Sequence, residues 1–170
     1  MTYTSMLRTT ALSRLLCLAI ATLLLPGCGF HLQGRTQLPR ALASVRIEAR
    51  DTQSDFYSAL RAALLASGTR LDGPDADAAR VHVLGDEVTE QVLTVSATRN
   101  IPTAFQLSYK VRVSVDYQGH ELLAPELHTL TREYSFDERA LLAKQREREV
   151  LQQALADDLV ALIMRRLAAL

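Results

Sequence analysis

Cys28 is the side chain best placed for chemistry, and its setting says which chemistry. It follows Leu25-Pro26-Gly27 at the end of an apolar run from Leu15 to Leu25, and Arg8 and Arg14 stand on the N-terminal side of that run. A basic flank, a short apolar segment and a small residue before the cut are the parts of a cleaved leader. Gly27 lets a peptidase approach the backbone closely. The Cys28 thiolate can take a diacylglyceryl group, and the amine freed by cleavage a third acyl chain. Pro26 departs from the small or aliphatic residue usual at its place. Two other readings of these residues stay open: an ordinary signal peptide with a chance cysteine, and a core helix with a buried thiol. Lipidation is the expectation, because length, flanks and cysteine position agree.

Bond-breaking chemistry has no comparable signal. His31, His82, His120 and His128 are scattered, without an HExxH or other paired spacing, so they are expected at surfaces or turns rather than on a metal. No Gly-x-Ser-x-Gly, phosphate-binding loop or Gly-x-Gly-x-x-Gly occurs. A periplasmic lipid hydrolase would need a nucleophile beside a base, and none is offered. Asp86-Glu87 could attract a cation near a bend, and Asp157-Asp158 reads as a helix-surface pair. The expectation is a non-enzyme with no cofactor.

The whole chain has 170 residues, and removal of residues 1–27 leaves 143. That suits one domain with a sizeable core. Apolar residues make up 48% and charged residues 22%, which marks a globular chain rather than a disordered one. The formal charge is zero, but Arg8 and Arg14 belong to the leader, which has no acid. The remainder holds 17 Lys/Arg against 19 Asp/Glu, a net of −2. No global basic field exists to attract nucleic acid, so anion recognition must be local. Cys17 would leave with the leader and Cys28 would be acylated, so the mature domain is expected to have neither free thiol nor disulfide. The eleven residues from Leu15 to Leu25 are too few to span a bilayer as a helix. The domain is therefore expected outside the cytoplasm, held by lipid alone. Each buried CH₂ contributes about 0.8 kcal/mol, so several acyl chains anchor durably where one would not. Gly29 follows the cysteine where bacterial lipoproteins kept at the inner membrane commonly carry Asp, which favours the outer membrane.

The elements that would carry these features come next. Gly29 to Gly34 is a short tether, and residues 28–38 form the lead-in to a domain spanning 39–170. Val45 to Ala49 alternates apolar and polar, a first strand. Ser54 or Asp55 can cap a helix whose apolar face is Phe56, Leu60, Leu64 and Leu65, with Gly68 placed to end it. Val81 to Val95 is a second strand with a bulge or bend near Gly85. Ser96 to Pro102 is a loop. Phe105 to Tyr117 alternates strictly over thirteen residues, so one face of its sheet is packed and the other is wet. Gln118-Gly119-His120 turns the chain into a fourth strand from Leu127 to Phe136. Asp137 can cap a final helical region, with Lys144 to Glu149 as a break or exposed turn and a stripe of Leu151, Leu155, Leu159, Leu162, Ile163 and Leu167 beyond it. That stripe is expected in the core, being too short for a coiled coil. The order βαβββα makes an α+β fold, a two-layer sandwich in which two helices pack on one face of a four-stranded mixed sheet. The other face, with Lys110 and Arg112, is left uncovered.

Gly27-Cys28-Gly29-Phe30-His31-Leu32-Gln33-Gly34 resembles the start of mature proteins of the LPS-assembly lipoprotein LptE family. The resemblance extends through the element order to Ser135-Phe136-Asp137 and Ala140-Leu141-Leu142-Ala143-Lys144. It implies a four-stranded sheet with two helices, and a role as a plug in the lumen of the outer-membrane barrel LptD. It also implies that the pair inserts lipopolysaccharide into the outer leaflet, and that the lipoprotein binds lipopolysaccharide itself. Arg99 and Lys144 stand where the family's ligand-binding basic residues would be. Arg forks suit phosphate oxygens, and Lys supplies a point charge. Arg112 and Arg146 are added as candidates for the same phosphates, and Lys110 with Arg112 as a candidate partner surface. The alternative is an adaptor lipoprotein of another outer-membrane assembly machine.

Overall fold

The structure, a computed structural model, describes residues 37–71, 78–135 and 141–170, with side chains from Gln145 onward in the last segment. Cys28, the tether and Asp137 lie outside the described residues. A short 3-10 turn, Arg40–Leu42, leads into strand β1, Ser44–Ala49. Helix α1 follows over Asp55–Ser67, then β2 (Arg70–Leu71), β3 (Ala79–Val95), β4 (Pro102–Tyr117), β5 (His120–Ser135) and helix α2, Leu141–Ala168. The sheet order is β2-β1-β3-β4-β5. β1 runs parallel to both β2 and β3, while β3, β4 and β5 form an antiparallel meander. The sheet is mixed, as expected, but has five strands instead of four. The added strand is two residues long, too short for a period of two to register in the sequence. It is held where Arg70 N–H donates to the Ala43 carbonyl at 3.0 Å.

Local chemistry accounts for the element ends. Ser54 Oγ accepts from Tyr57 N–H at 3.1 Å and caps α1. Gly68, at φ 91°, closes it in the left-handed region. Gln118 and Gly119, at φ 51° and 78°, form the two-residue turn between β4 and β5, whose positive angles match the strand twist. That tight turn lets pairing begin at once, so β5 starts at His120 and not at Leu127. The bulge expected near Gly85 is present as a register shift between Val83 and Gly85.

Strict alternation in β4 sends Phe105, Leu107, Tyr109, Val111, Val113 and Val115 into the core. α1 contributes Phe56, Leu60 and Leu64, and α2 contributes Leu155, Leu159, Ile163 and Leu167. Leu65, expected on the buried face, is instead exposed, because it falls one step past the stripe that faces the sheet. Lys144 to Glu149 is helix and not a break. Lys, Gln, Arg and Glu are good helix formers, and residues 145–150 lie on exposed turns that need no apolar face. α2 is tied down along its length. Arg148 Nε donates to Glu90 Oε2 at 3.0 Å, Arg132 Nη2 to Asp158 Oδ2 at 2.8 Å, and Arg166 reaches both oxygens of Glu126 at 2.8 and 3.3 Å.

Candidate functional site

Two surfaces carry the candidate residues, and the fold separates them. The first is the end of the sheet where β3 turns into β4. Residues 96–101 close there through Ser96 N–H to the Ile101 carbonyl and Asn100 N–H to the Ser96 carbonyl, both 2.8 Å. Asn100 sits at φ 52°, a conformation that Asn tolerates better than most residues. This turn holds Arg99 exposed at the tip. Glu90, paired with Leu107 across the sheet, accepts from Arg148 and so pins the opening of α2 to the sheet five residues along β4 from Pro102. Ser135 pairs with Ala104 there as β5 leaves the sheet. Lys144 lies one helical turn before Arg148, and its side chain is outside the described residues. Arg146 is exposed on the same opening turns. Arg99 thus stands at the hairpin tip, while Lys144 and Arg146 open α2, whose first contact with the sheet among the described residues is at the Leu107 row.

Arg112 does not join them. It pairs with Gly85 and Leu127 on the face of the sheet turned away from the helices. It is ten residues along β4 from Pro102, roughly 33 Å at the usual strand rise. Strand alternation puts it opposite the buried Val111 and Val113. Lys110, between Glu87 and Thr129, shares that outer face. The outer face is the second surface, and the two basic residues expected to face a partner do lie together on it.

The same face holds a constellation that spacing could not reveal. His82 lies between two carboxylates, with Nδ1 at 3.1 Å from Glu48 Oε2 and Nε2 at 2.5 Å from Asp116 Oδ1. Arg80 stands 3.9 Å from Glu48 and 4.0 Å from Asp116. Four charged or titratable groups thereby link β1, β3 and β4. Asp86 and Glu87, considered as a cation pair, diverge because neighbours in a strand face opposite ways. Glu87 joins the outer face. Asp86 points to the helices and accepts from the Tyr109 hydroxyl, which itself accepts from Phe56 N–H at 3.2 Å. Burial pushes the Tyr109 phenol well above its ordinary value, and the Asp86 carboxylate adds to the shift. Burial likewise pushes Tyr134 up to about 12, with the Glu90 carboxylate reinforcing it. Among the described residues no group of three His, Cys, Asp or Glu is arranged to hold a metal ion, and no helix is long and apolar enough to cross a membrane.

A family model described as LptE, lipopolysaccharide-assembly, matches residues 42–167. The LPS-assembly lipoprotein LptE of Yersinia enterocolitica serotype O:8 / biotype 1B is 33% identical over 156 residues, covering 90% of this chain and 74% of that protein. Its counterpart from Yersinia pestis strain Pestoides F is 28% identical over 155 residues, covering 89% and 73%. A minor lipoprotein from Acinetobacter baumannii superposes with a TM-score of 0.64 at 25% identity, over 77% of this chain and 94% of that one. A lipoprotein B from Nitrosomonas europaea gives 0.68 at 24% identity, over 83% and 91%, a likeness of fold.

Proposed function

The chain belongs to the LptE lipopolysaccharide-assembly family, and from that membership we propose that it works as a lipid-anchored plug and lipopolysaccharide-binding subunit of the outer-membrane barrel LptD. Acyl chains on Cys28 hold it at the periplasmic side of the outer membrane, and the folded domain enters the barrel lumen. It supports assembly of the barrel and the insertion of lipopolysaccharide into the outer leaflet, by contact and without catalysis.

The observation that carries this reading is the two-sided sheet. One face is filled by α1 and α2, and the other presents Lys110, Arg112, His82 and their polar neighbours with no layer over them among the described residues. A body that fits a water-lined barrel needs such a polar exterior. Arg99 at the hairpin tip and the opening turns of α2 supply cations by which lipid A phosphates can be met through charge-assisted hydrogen bonds.

Each such bond contributes about 1.5–3 kcal/mol, so Arg99→Asp and Lys144→Asp should each weaken lipopolysaccharide binding by about tenfold or more. Thermal unfolding should stay unchanged. Wild-type affinity in both variants ends the ligand assignment. Separately, Lys110→Glu with Arg112→Glu should lower the yield of the barrel complex. An undiminished yield removes the outer face from the interface.

A further inference from the structure

Strand register assembles the surroundings of His82. Glu48 on β1 is its direct cross-strand partner, and Arg80 and Asp116, paired with each other, stand in the next row of the same face. Glu48, His82 and Asp116 therefore meet on the outer face from three successive strands. The imidazole lies between the two carboxylates, Nδ1 toward Glu48 Oε2 at 3.1 Å and Nε2 toward Asp116 Oδ1 at 2.5 Å. The His82 side chain is 26% exposed, that of Asp116 29% and that of Glu48 47%.

A neutral imidazole has one N–H and one lone pair. It can donate to one of these acids, and its other nitrogen then sets a lone pair against an oxygen that offers only lone pairs. The imidazolium donates from both nitrogens and satisfies both acids. Arg80 stands 3.9 Å from Glu48 and 4.0 Å from Asp116, the distances of an ion pair and not of a hydrogen bond. Further charges border the group on each strand. Arg46 on β1 is paired with Arg80, Glu121 on β5 is paired with Asp116, and Arg112 on β4 lies two residues from Ser114, the β4 partner of His82. With the ring charged, Arg80 and His82 balance Glu48 and Asp116. Without that proton the four carry one negative charge in excess.

We propose that His82 is a proton-operated clasp that ties β1 to β4 across β3. When the ring is charged, both acids are held. When it loses its proton to water, the N–H that remains stays with Asp116, the less exposed acid, and Glu48 is released to solvent. β1 meets β3 through five register pairs, Val45 to Ala49, and the release loosens the last of them. The clasp belongs to the sheet itself and holds whatever lies on the outer face.

The test is amide exchange on the full chain in detergent, from about pH 5 to about pH 8. An imidazole ordinarily changes charge across that window, which lies above the ordinary carboxyl range. Each rate is divided by the unstructured rate at the same pH. Protection of residues 47–49 should be greatest at the acid end and fall by about three- to fivefold as pH rises, the scale of a partly exposed ion pair. Residues 107–113, in the middle of β4, should keep theirs. His82→Gln does not titrate, so its protection at 47–49 should be flat with pH. Glu48→Gln supplies an amide that accepts from an N–H or donates to a lone pair, so both forms of the ring are satisfied and the profile should again be flat. Ring-nitrogen NMR of the native chain should show both nitrogens of His82 protonated at the acid end. Protection at 47–49 that ignores pH in the native chain, the native pH dependence persisting in either variant, or a loss spread evenly over β4 overturns the proposal.

Discussion

Tyr109 shows how one residue joins three elements. It comes from β4, accepts from the first turn of α1 and donates to Asp86 on β3. Tyr109→Phe leaves the Phe56 N–H without its acceptor and Asp86 without that donor, each in a desolvated place. The expected cost is about 1–3 kcal/mol, read from the urea midpoint. Tyr134 makes a prediction in pH. Its phenol is held at about 12 by burial and Glu90, against 10.0 ordinarily. Above pH 10 the unfolded chain sheds this proton while the folded one keeps it. The folded state then binds more protons, so stability falls as pH rises through that window. Tyr134→Phe should flatten part of this alkaline loss in melts taken across it. The alternation of β4 already marked Tyr109 as inward-facing. The His82 constellation was illegible, because Glu48 and Asp116 are 34 residues from it on either side and come together only by strand pairing.

Element boundaries followed from side-chain chemistry wherever a specific backbone angle was required. Gly68 was readable as a helix stop, and its φ of 91° is the reason. A Cβ built there meets nothing within 4 Å. Gly68→Ala should therefore cost about 1–2 kcal/mol of backbone strain alone, without disturbing packing, as a denaturation curve with unchanged slope would report. The opening of α2 was harder. Lys144 to Glu149 has no apolar residue to mark a face, so the sequence pattern reads equally as turn or exposed helix. Glu90 and its partner Arg148 lie 58 residues apart, and that contact is visible only in the fold. β2 escaped notice for another reason: two residues cannot display a period of two.

At the scale of the whole molecule the sheet divides the protein into a packed side and a side with no layer over it among the described residues, and substitutions should respect that division. Leu159→Ala opens a cavity between α2 and the sheet and should cost about 2–5 kcal/mol in chemical denaturation. Lys110→Glu with Arg112→Glu, on the open face, should move stability by no more than about 0.5 kcal/mol per site. By itself the sequence determined which way most side chains face and where most elements stop. Those properties depend on periods of 2 and 3.6 residues and on capping groups a few positions apart, so a local reading reaches them. Only the tertiary structure decided that Arg112 stands a strand's length from Arg99, that His82 lies between two acids, and that β3 continues past the end of its pairing with β1. Each depends on which distant segments become neighbours and in what register, and that choice is made by closing the whole core at once.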